Sequence, residues 1–523
     1  MSKTFRRMIV SFFLNLVFIY GLDWIVNTFF LGTISRFTMG TGIDFGSNNW
    51  IAVPAFVLGT LLIVISIASQ NIIKLIDLYM QDWISLFYVW FIVLSAVHFI
   101  FSAPHSVASQ FLNINIFMTM SIVLAFPYIF YILRLTKPEI IISKIKAEII
   151  RNIRFLASHS HALDINLNKT ESYQGQLFAS LNQFDDLLNY IHFKETKSLI
   201  LSEFRDVLIF YEQNKSKLPG SLFRITQTMR RDISFRTMFE SLKGHEVYDL
   251  FFEKKCLRIM GNAYQVFIEN NQFDMAALTA SEIVQVVKII PDTTDHKDFL
   301  DLILVHLNTL FRFAFKHAVK ENEHRNLYNL VYHYRLLMEL LIQMKQPDLL
   351  QRAFYYLHYY GNECYKQAAL ANLYFVVDTI AFEMNRILIS VYEKNMDKQV
   401  QVKLLQYLLE IDKPPEMMEE NKSTEDMMIS KVRLVQIALA LFYLEHEETV
   451  FVEMIKEDIL DDLKVLGEQK FKQFLEKQFA LLKIFEPYYW EDTDRGNINI
   501  YYTPYKDRIE AFKNLIFQEF QAR

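Results

Sequence analysis

Four long apolar stretches lie in the first 135 residues, and they constrain the fold more than any other feature of this sequence. They cover residues 8–31, 51–69, 83–102 and 116–133. About 20 apolar residues in a helix cross the roughly 30 Å hydrocarbon layer of a membrane. The first stretch lacks a small-residue cleavage site, which predicts a retained helix rather than a signal peptide. We therefore expect residues 1–135 to form a four-helix transmembrane domain.

Basic residues flank these stretches mainly on one side. Short loops rich in Lys and Arg stay on the cytoplasmic side of a membrane. The predicted loops on the opposite side carry a single basic residue, Arg36. The sequence therefore predicts that both termini are cytoplasmic. The basic residues of the cytoplasmic side are Lys3, Arg6, Arg7, Lys74, Arg134, Lys137, Lys144 and Lys146.

Two ionisable side chains lie inside the predicted spans. Asp23 falls in the outer half of the first span and His98 in the outer third of the third. These two helices run in the same direction, so the two residues reach a similar depth and can pair. Ionisable groups in hydrocarbon are costly and usually face a partner or water. Two interpretations stay open: a proton or ion site, or polar groups near the interface that are simply hydrated or hydrogen-bonded to Asn27.

The rest of the chain has the composition of a soluble domain. Beyond residue 135 there are 48 basic and 55 acidic residues, and this mildly negative balance argues against a nucleic acid partner. The two cysteines, Cys256 and Cys364, are too few for a disulfide framework or a cysteine-rich metal site. We expect two buried thiols, no cofactor and no metal.

The low content of helix breakers, with 13 Gly and 11 Pro in 523 residues, predicts long helices with short connections. Residues 136–160 form an amphipathic junction helix in this interpretation. Its apolar residues recur at helical spacing, and two roles are equally open: lying along the anionic inner leaflet, or acting as a self-associating stalk. Its apolar face consists of Ile141, Ile145, Ile149, Ile153 and Leu156.

The cytoplasmic part is predicted to be all-α. Residues 161–413 are expected to form an array of helical hairpins, residues 414–427 an acidic flexible linker, and residues 428–523 a C-terminal helical region. No 34- or 40-residue register recurs, so an irregular solenoid and an irregular bundle both fit. The fold class is a four-helix transmembrane domain followed by a large cytoplasmic helical domain.

Two surface features are candidates for binding. A helix predicted over residues 220–242 carries four arginines, which either contact phosphate or lipid headgroups or form salt bridges with neighbouring acids. An aromatic and acidic loop over residues 486–505 is either an interaction surface or a cap on the helical array. The residues concerned are Arg224, Arg230, Arg231 and Arg236 in the helix, and Tyr488, Tyr489 and Trp490 in the loop.

No catalytic motif is present in the sequence. The few glycines form no phosphate-binding loop of either common type. His446 lacks the second histidine four positions later that zinc proteases require. We expect a protein that is not an enzyme, and we assign no catalytic residue.

Residues 58–71 (LGTLLIVISIASQN) resemble the second helix of a family of bacterial four-helix predicted inner-membrane proteins of unknown function. Residues 231–235 (RDISF) resemble a later segment of that family. The Pro-Arg pair that follows the helix in the family is missing here, as is its Asn-Asp-Pro stretch. The resemblance covers about the first 160 residues and implies a bacterial inner-membrane location, but no activity.

These features favour a membrane-anchored interaction or sensing protein. It would present a solenoid-like helical domain at the inner membrane face and assemble as an oligomer, with membrane lipids, further copies of itself or another cytoplasmic protein as partners. The alternative is an oligomeric ion channel or transport component gated by the cytoplasmic domain. A pore built from the four apolar helices would separate the two.

Overall fold

The computed structural model describes residues 3–30, 82–102, 106–135, 137–236, 246–289, 296–411, 430–489 and 497–522, with four isolated positions at 52, 55, 59 and 66. The described residues are almost entirely helical, and their β structure is limited to the isolated bridges Arg224–Val247 and Tyr488–Ile498. The chain divides into two compact units. One comprises residues 1–149 and 178–200, and the other comprises residues 150–177 and 201–523.

The first unit contains three described helices that are long and apolar enough to cross a membrane. They span Phe5–Phe29, Trp83–Phe101 and Val107–Arg134. Large apolar side chains on these helices face outward, which would be unfavourable in water and suits contact with lipid. The predicted span at 51–69 lies outside the described residues. The outward-facing side chains include Phe13, Trp24, Phe101, Phe126 and Phe130, which are 57–71% exposed.

These spans are built from four α-helices and one π-helical segment. They are α1 (Lys3–Phe29), α2 (Trp83–Ser102), α3 (Val107–Leu112), a π-helical turn (Asn113–Met118) and α4 (Thr119–Leu135). The third described span begins before the predicted residue 116, because Ser106 caps α3 by accepting a hydrogen bond from the Ser109 backbone N–H. Polar residues lower the hydropathy of this first part, yet Ser109 and Asn113 are buried.

Four helices follow: α5 (Pro138–Ser158), α6 (Ser160–Ile165), α7 (Leu167–Tyr190) and α8 (Lys194–Asn214). Helix α5 lies within the predicted junction segment, 136–160. Its apolar face is covered by protein and is therefore not available to lie on a lipid surface. The five apolar residues Ile141, Ile145, Ile149, Ile153 and Leu156 are each at most 2% exposed.

The prediction of a single helix over residues 220–242 is wrong. A 3₁₀ turn (Gly220–Phe223) and the short helices α9 (Gln227–Arg231) and α10 (Ile233–Arg236) occupy its described part. The backbone of residues 223–225 pairs instead with residues 246–248: Ile225 N donates to Glu246 O (3.0 Å) and Tyr248 N to Phe223 O (2.8 Å). Side-chain caps compete with a continuous helix here, since Thr226 caps α9 and Asp232 accepts from the Ser234 N–H.

The remaining helices form the helical array. They are α11 (Phe251–Glu269), α12 (Phe273–Ile289), α13 (Lys297–Glu321), α14 (Arg325–Gln343), α15 (Pro347–Ala371), α16 (Tyr374–Glu393), α17 (Lys398–Leu409), α18 (Val432–Glu445), α19 (Thr449–Leu466), α20 (Glu468–Ile484) and α21 (Ile509–Ala522).

The array has two layers. Helices α11, α13, α15, α17 and α19 each pack against the next of this set, and α12, α14, α16 and α18 do the same in the second layer. Within the array, α11 also packs on α12, α13 on α14 and α15 on α16, so the repeating unit is a helical hairpin. This arrangement is a solenoid of helix pairs rather than an irregular bundle.

The solenoid has a repeat of about 50 residues. The first-layer helices begin at residues 251, 297, 347, 398 and 449. Equivalent ends of successive helices are joined by ion pairs: Lys297 to Asp348, 51 residues apart, and Lys398 to Glu448, 50 residues apart. This repeat is longer than the 34- and 40-residue registers that the sequence lacks.

Candidate functional site

Asp23 and His98 meet inside the apolar unit. The His98 Nε2 atom lies 3.4 Å from the Asp23 Oδ2 atom, which is ion-pair range and longer than a well-aligned hydrogen bond. His98 is fully buried. Helices α1 and α2 pack side by side, so that the C-terminal part of each contributes one member of the pair.

Hydrogen bonds from serine and asparagine surround the Asp23 carboxylate. Ser109 Oγ donates to Asp23 Oδ1 at 2.6 Å, and Asn27 Nδ2 donates to the same oxygen at 3.0 Å. Ser106 Oγ donates to Asn27 Oδ1 at 2.5 Å. The carboxylate is therefore held by neutral donors from α1 and from the start of α3, and we call Asp23, Asn27, His98, Ser106, Ser109 and Asn113 the polar cluster.

Asn113 determines which nitrogen of His98 carries the proton. The Asn113 Nδ2 atom donates to the Ser109 backbone carbonyl (2.8 Å), which can only accept, so the amide orientation is set. The same Nδ2 lies 2.9 Å from His98 Nδ1. Nδ1 must therefore accept, and the neutral ring carries its proton on Nε2, facing Asp23.

The π-helical turn Asn113–Met118 begins at this cluster. Single π turns inside α-helices occur frequently at functional sites. The Asn113 Oδ1 atom is buried and has no hydrogen-bond partner among the described residues. Ser106, Ser109 and Asn113 follow one another at three- and four-residue spacing, a pattern that places them on one helix face. This spacing was the sequence signal for the part of the cluster beyond Asp23, His98 and Asn27.

A second polar contact lies at the other end of α2. Asp82 caps this helix by accepting from the Ser85 N–H (3.0 Å), and its other oxygen accepts from the Tyr131 hydroxyl (2.7 Å). Tyr88 donates to the Ser121 carbonyl (2.8 Å). These bonds tie the start of α2 to α4. The signal in the sequence was an aspartate three residues before a serine at the start of an apolar run.

The four candidate arginines do not share a helix. Arg224 is in extended conformation opposite Val247, Arg230 and Arg231 end α9, and Arg236 ends α10. All four side chains are exposed. Lys255 is buried in this region, and its ammonium lies 2.5 Å from the Asp232 carboxylate.

Part of the candidate aromatic loop is hydrogen-bonded to the helical array. Tyr488 is 64% exposed, Tyr489 is half-buried and Trp490 lies outside the described residues. Further along, Tyr501 is buried, and its hydroxyl donates to Asp378 Oδ2 in α16 (2.8 Å). The sequence did not single out Asp378. Burial raises the pKa of Asp378 to about 6, although the hydrogen bonds from Tyr501 and the Lys431 N–H act in the opposite direction.

A buried acidic pair lies where α8 ends and α11 begins. Glu212 and Glu253 are both buried, and burial together with the neighbouring Glu253 charge raises the pKa of Glu212 to about 9. Lys215 contacts Glu253, and His296 Nδ1 lies 3.3 Å from Glu212 Oε2. One proton held between the two carboxyl groups would leave a single negative charge facing Lys215. Both Cys256 and Cys364 are free and buried, as expected.

Surface grooves lie between α17 and α19. One has a volume of about 440 Å³ and is lined by apolar Val402, Val450 and Phe451 together with basic Lys398 and Lys403. At Gln406 it adjoins a second groove of about 420 Å³ whose charged lining is acidic. We call the two together the α17–α19 groove. The acidic residues are Glu410, Glu453, Glu457, Asp458 and Asp461.

No protein-family model matches this chain, and no curated protein matches it. Among solved structures, it is similar to one described as a circular tandem repeat protein with novel repeat topology and enhanced subunit contact surfaces. The TM-score is 0.26 and the sequence identity 11%, over 73% of this chain and 98% of that chain. Of residues 58–71, which carry the resemblance to bacterial four-helix membrane proteins, only Gly59 and Ser66 are among the described positions.

Proposed function

We propose that this protein is a membrane-anchored interaction and sensing protein of a bacterial inner membrane, which works as an oligomer and presents its helical solenoid to a cytoplasmic partner. The observation that carries the proposal is the α17–α19 groove. It combines an apolar floor with a basic end at Lys403 and Lys398 and an acidic end at Glu457 and Asp461. Within the chain, Lys398 also pairs with Glu448 and Asp461 with Lys464. The three apolar helices supply the membrane anchor.

The occupant of this groove is a segment of another protein. Its recognition requires an apolar side chain for the floor formed by Val402, Val450 and Phe451. An acidic residue on one side and a basic residue on the other would complement the two ends, and such charge complementarity sets orientation and partner choice more than total affinity. Val450 is 58% exposed in the groove, so its burial would contribute to binding.

Site-specific photocrosslinking tests the proposal. A photoreactive phenylalanine analogue replaces Val402 in the full chain, which is expressed in its native membrane. Phe375, an exposed aromatic residue of the second layer, carries the same analogue as the matched control. We expect an adduct of one defined mass from position 402 that is absent from position 375 and is lost with Lys403→Glu or Glu457→Lys.

Two results would contradict this assignment. Identical adducts from positions 402 and 375, or adducts that do not respond to either charge reversal, would show that the groove does not select a partner. An adduct with the mass of two copies of this chain would assign the groove to self-association instead.

A second candidate function is an oligomeric channel or transport component. It is favoured by the proximity of Asp23 and His98 inside the apolar unit, at 3.4 Å. Reconstitution of the full chain in liposomes tests it. Ion flux that disappears with Asp23→Ala and His98→Ala, but persists with Asp82→Ala, would support transport, whereas liposomes that stay tight at every pH and voltage tested would exclude it.

A further inference from the structure

Among the described residues of the apolar unit, no Lys or Arg side chain lies beside the Asp23 carboxylate of the polar cluster. Asp23 is the carboxylate of the cluster, and His98 is neutral when Nδ1 accepts from Asn113. In the described apolar spans, the basic residues Arg6, Arg7 and Arg134 lie at the helix ends remote from the cluster. An uncompensated charge in a low-dielectric environment is unfavourable. A bound cation would neutralise it.

We propose that this cation is a proton and that the polar cluster is a proton-binding switch centred on His98. The proton adds to the Nδ1 lone pair. The O–H bond that held this proton in a hydronium ion breaks, a water molecule leaves, and the ring becomes an imidazolium. The cluster then passes from one negative charge to zero, with the imidazolium Nε2–H still facing Asp23 across 3.4 Å. This inference does not depend on the α17–α19 groove.

Asn113 supplies the acceptor that the protonated state requires. In the observed state its Nδ2 faces Nδ1 of the ring, and its Oδ1 is buried without a hydrogen-bond partner among the described residues. Rotation of the amide by about 180° brings Oδ1 to the new Nδ1–H. The rotation breaks the 2.8 Å bond from Nδ2 to the Ser109 carbonyl, so proton binding changes the hydrogen bonding where the π turn begins.

The described groups that face His98 come from two elements. Helix α1 contributes Asp23 and Tyr20, whose ring meets the imidazole edge-on at 4.9 Å. The third span contributes Asn113 and the apolar ring of Phe117. Asp23 is the one carboxylate among these groups, and its Oδ2 atom faces the Nε2 side of the ring at 3.4 Å.

Nitrogen-15 solid-state NMR of the full chain, labelled at histidine and reconstituted in lipid, tests the switch. The resonances lost in His98→Gln identify His98. We expect the Nε2-protonated neutral ring at pH 9 and a ring with two protons at pH 5. In Asp23→Asn, the ratio of doubly to singly protonated ring at pH 6 should fall, because the carboxylate that faces Nε2 is removed.

Two further variants keep the test decisive if Asp23→Asn perturbs folding. Asn113→Asp places a permanent acceptor at Nδ1 and should raise that ratio, opposite to the fall in Asp23→Asn, whereas unfolding of the site would shift the ratio in the same direction in both variants. Asp82→Asn, at the other end of α2, is the matched control and should leave the ratio unchanged.

The proposal is overturned if His98 keeps a single proton from pH 5 to pH 9. It is also overturned if Asn113→Asp and Asp23→Asn leave the ratio at its original value, or if replacing choline with sodium in the buffer abolishes the protonated form. That last result would assign the site to a metal cation.

Discussion

The Tyr501 hydroxyl donates a hydrogen bond to Asp378 Oδ2 at 2.8 Å, which joins two residues 123 positions apart in the chain. The Lys431 backbone N–H donates to the other carboxylate oxygen at 2.9 Å, and the Lys431 ammonium lies 4.6 Å from the centre of the Tyr501 ring. Asp378 thus joins α16, the start of α18 and the C-terminal loop in one buried contact.

We expect Asp378 to make the stability of the solenoid decrease between about pH 4 and pH 6. Its folded-state pKa, about 6, is above the ordinary value of 3.8. In that window the folded chain keeps a proton that the unfolded chain has released, so raising the pH costs stability, by up to about 3 kcal/mol. Thermal unfolding of wild type and Asp378→Asn from pH 4 to pH 8 measures this. The variant should lack the decrease, whereas exposed Asp348→Asn should retain it.

Replacement of Glu212 by Gln should stabilise the protein at alkaline pH. The Glu212 pKa of about 9 is well above the ordinary 4.5, so the folded state binds a proton that the unfolded state lacks between these values. Stability is therefore lost as the pH rises from about 4.5 to 9. Because Gln needs no proton, the Tm of Glu212→Gln should exceed that of wild type by about 2–4 °C or more at pH 8. The two Tm values should converge near pH 4.5. A variant less stable than wild type at pH 8 would contradict the assignment, and exposed Glu195→Gln serves as the control.

Arg433 bridges two buried aspartates, and its replacement should strongly lower the free energy of unfolding. Its two terminal nitrogens donate to Asp458 (2.6 Å) and Asp462 (2.7 Å), and all three residues are buried. Arg433→Met leaves two carboxylates buried without their guanidinium, which costs about 3–5 kcal/mol. Urea unfolding of the full chain measures the loss. Lys464→Met, which breaks the exposed pair with Asp461, should cost at most about 1 kcal/mol. Equal effects of the two variants would contradict the bridging role.

Two helical glycines should respond oppositely to alanine. A Cβ at Gly361 in α15 would lie 2.5 Å from Ile411 Cδ1, whereas a Cβ at Gly261 in α11 meets Leu310 at 3.8 Å, an ordinary contact. Gly361→Ala should therefore destabilise the array by about 1–3 kcal/mol through overpacking. Gly261→Ala should be neutral or stabilise it by up to about 1 kcal/mol through helix propensity. Urea unfolding compares the pair, and a neutral Gly361→Ala would show that Ile411 can move away.

The positions of Asp23 and His98 along their apolar spans were enough to predict that the two residues can pair. The partners Ser106, Ser109 and Asn113 were not predicted, because the third described span begins earlier than its hydropathy indicates. Polar side chains lower the local hydropathy even when they bond to one another in a buried cluster. The tautomer of His98 required the position of the Ser109 carbonyl, which only the folded chain supplies.

The solenoid repeat was not predicted from the sequence, for a different reason. Gly261, Phe311, Gly361 and Ile411 lie at 50-residue steps in the sequence, and glycine alternates there with a large apolar side chain. Gly361 packs on Ile411, and a larger side chain fills the space beside a smaller one. The length of a helix pair with its turns repeats, whereas the side chain at most positions differs with the side chains around it. Residue identity recurs instead at Asn271, Asn322 and Asn372, which follow α11, α13 and α15 with positive φ.

The sequence by itself determined that the chain is helical, that apolar segments long enough to cross a membrane lie near its N-terminus, and that its two cysteines are buried thiols. These properties follow from hydropathy, composition and local periodicity, which act over a few turns of helix. Only the tertiary structure decided the two-layer array, the extended pairing of residues 223–225 and the contact of Tyr501 with Asp378. Those features depend on which distant groups satisfy a buried hydrogen bond or fill a space, and such pairing is set by the packed chain as a whole.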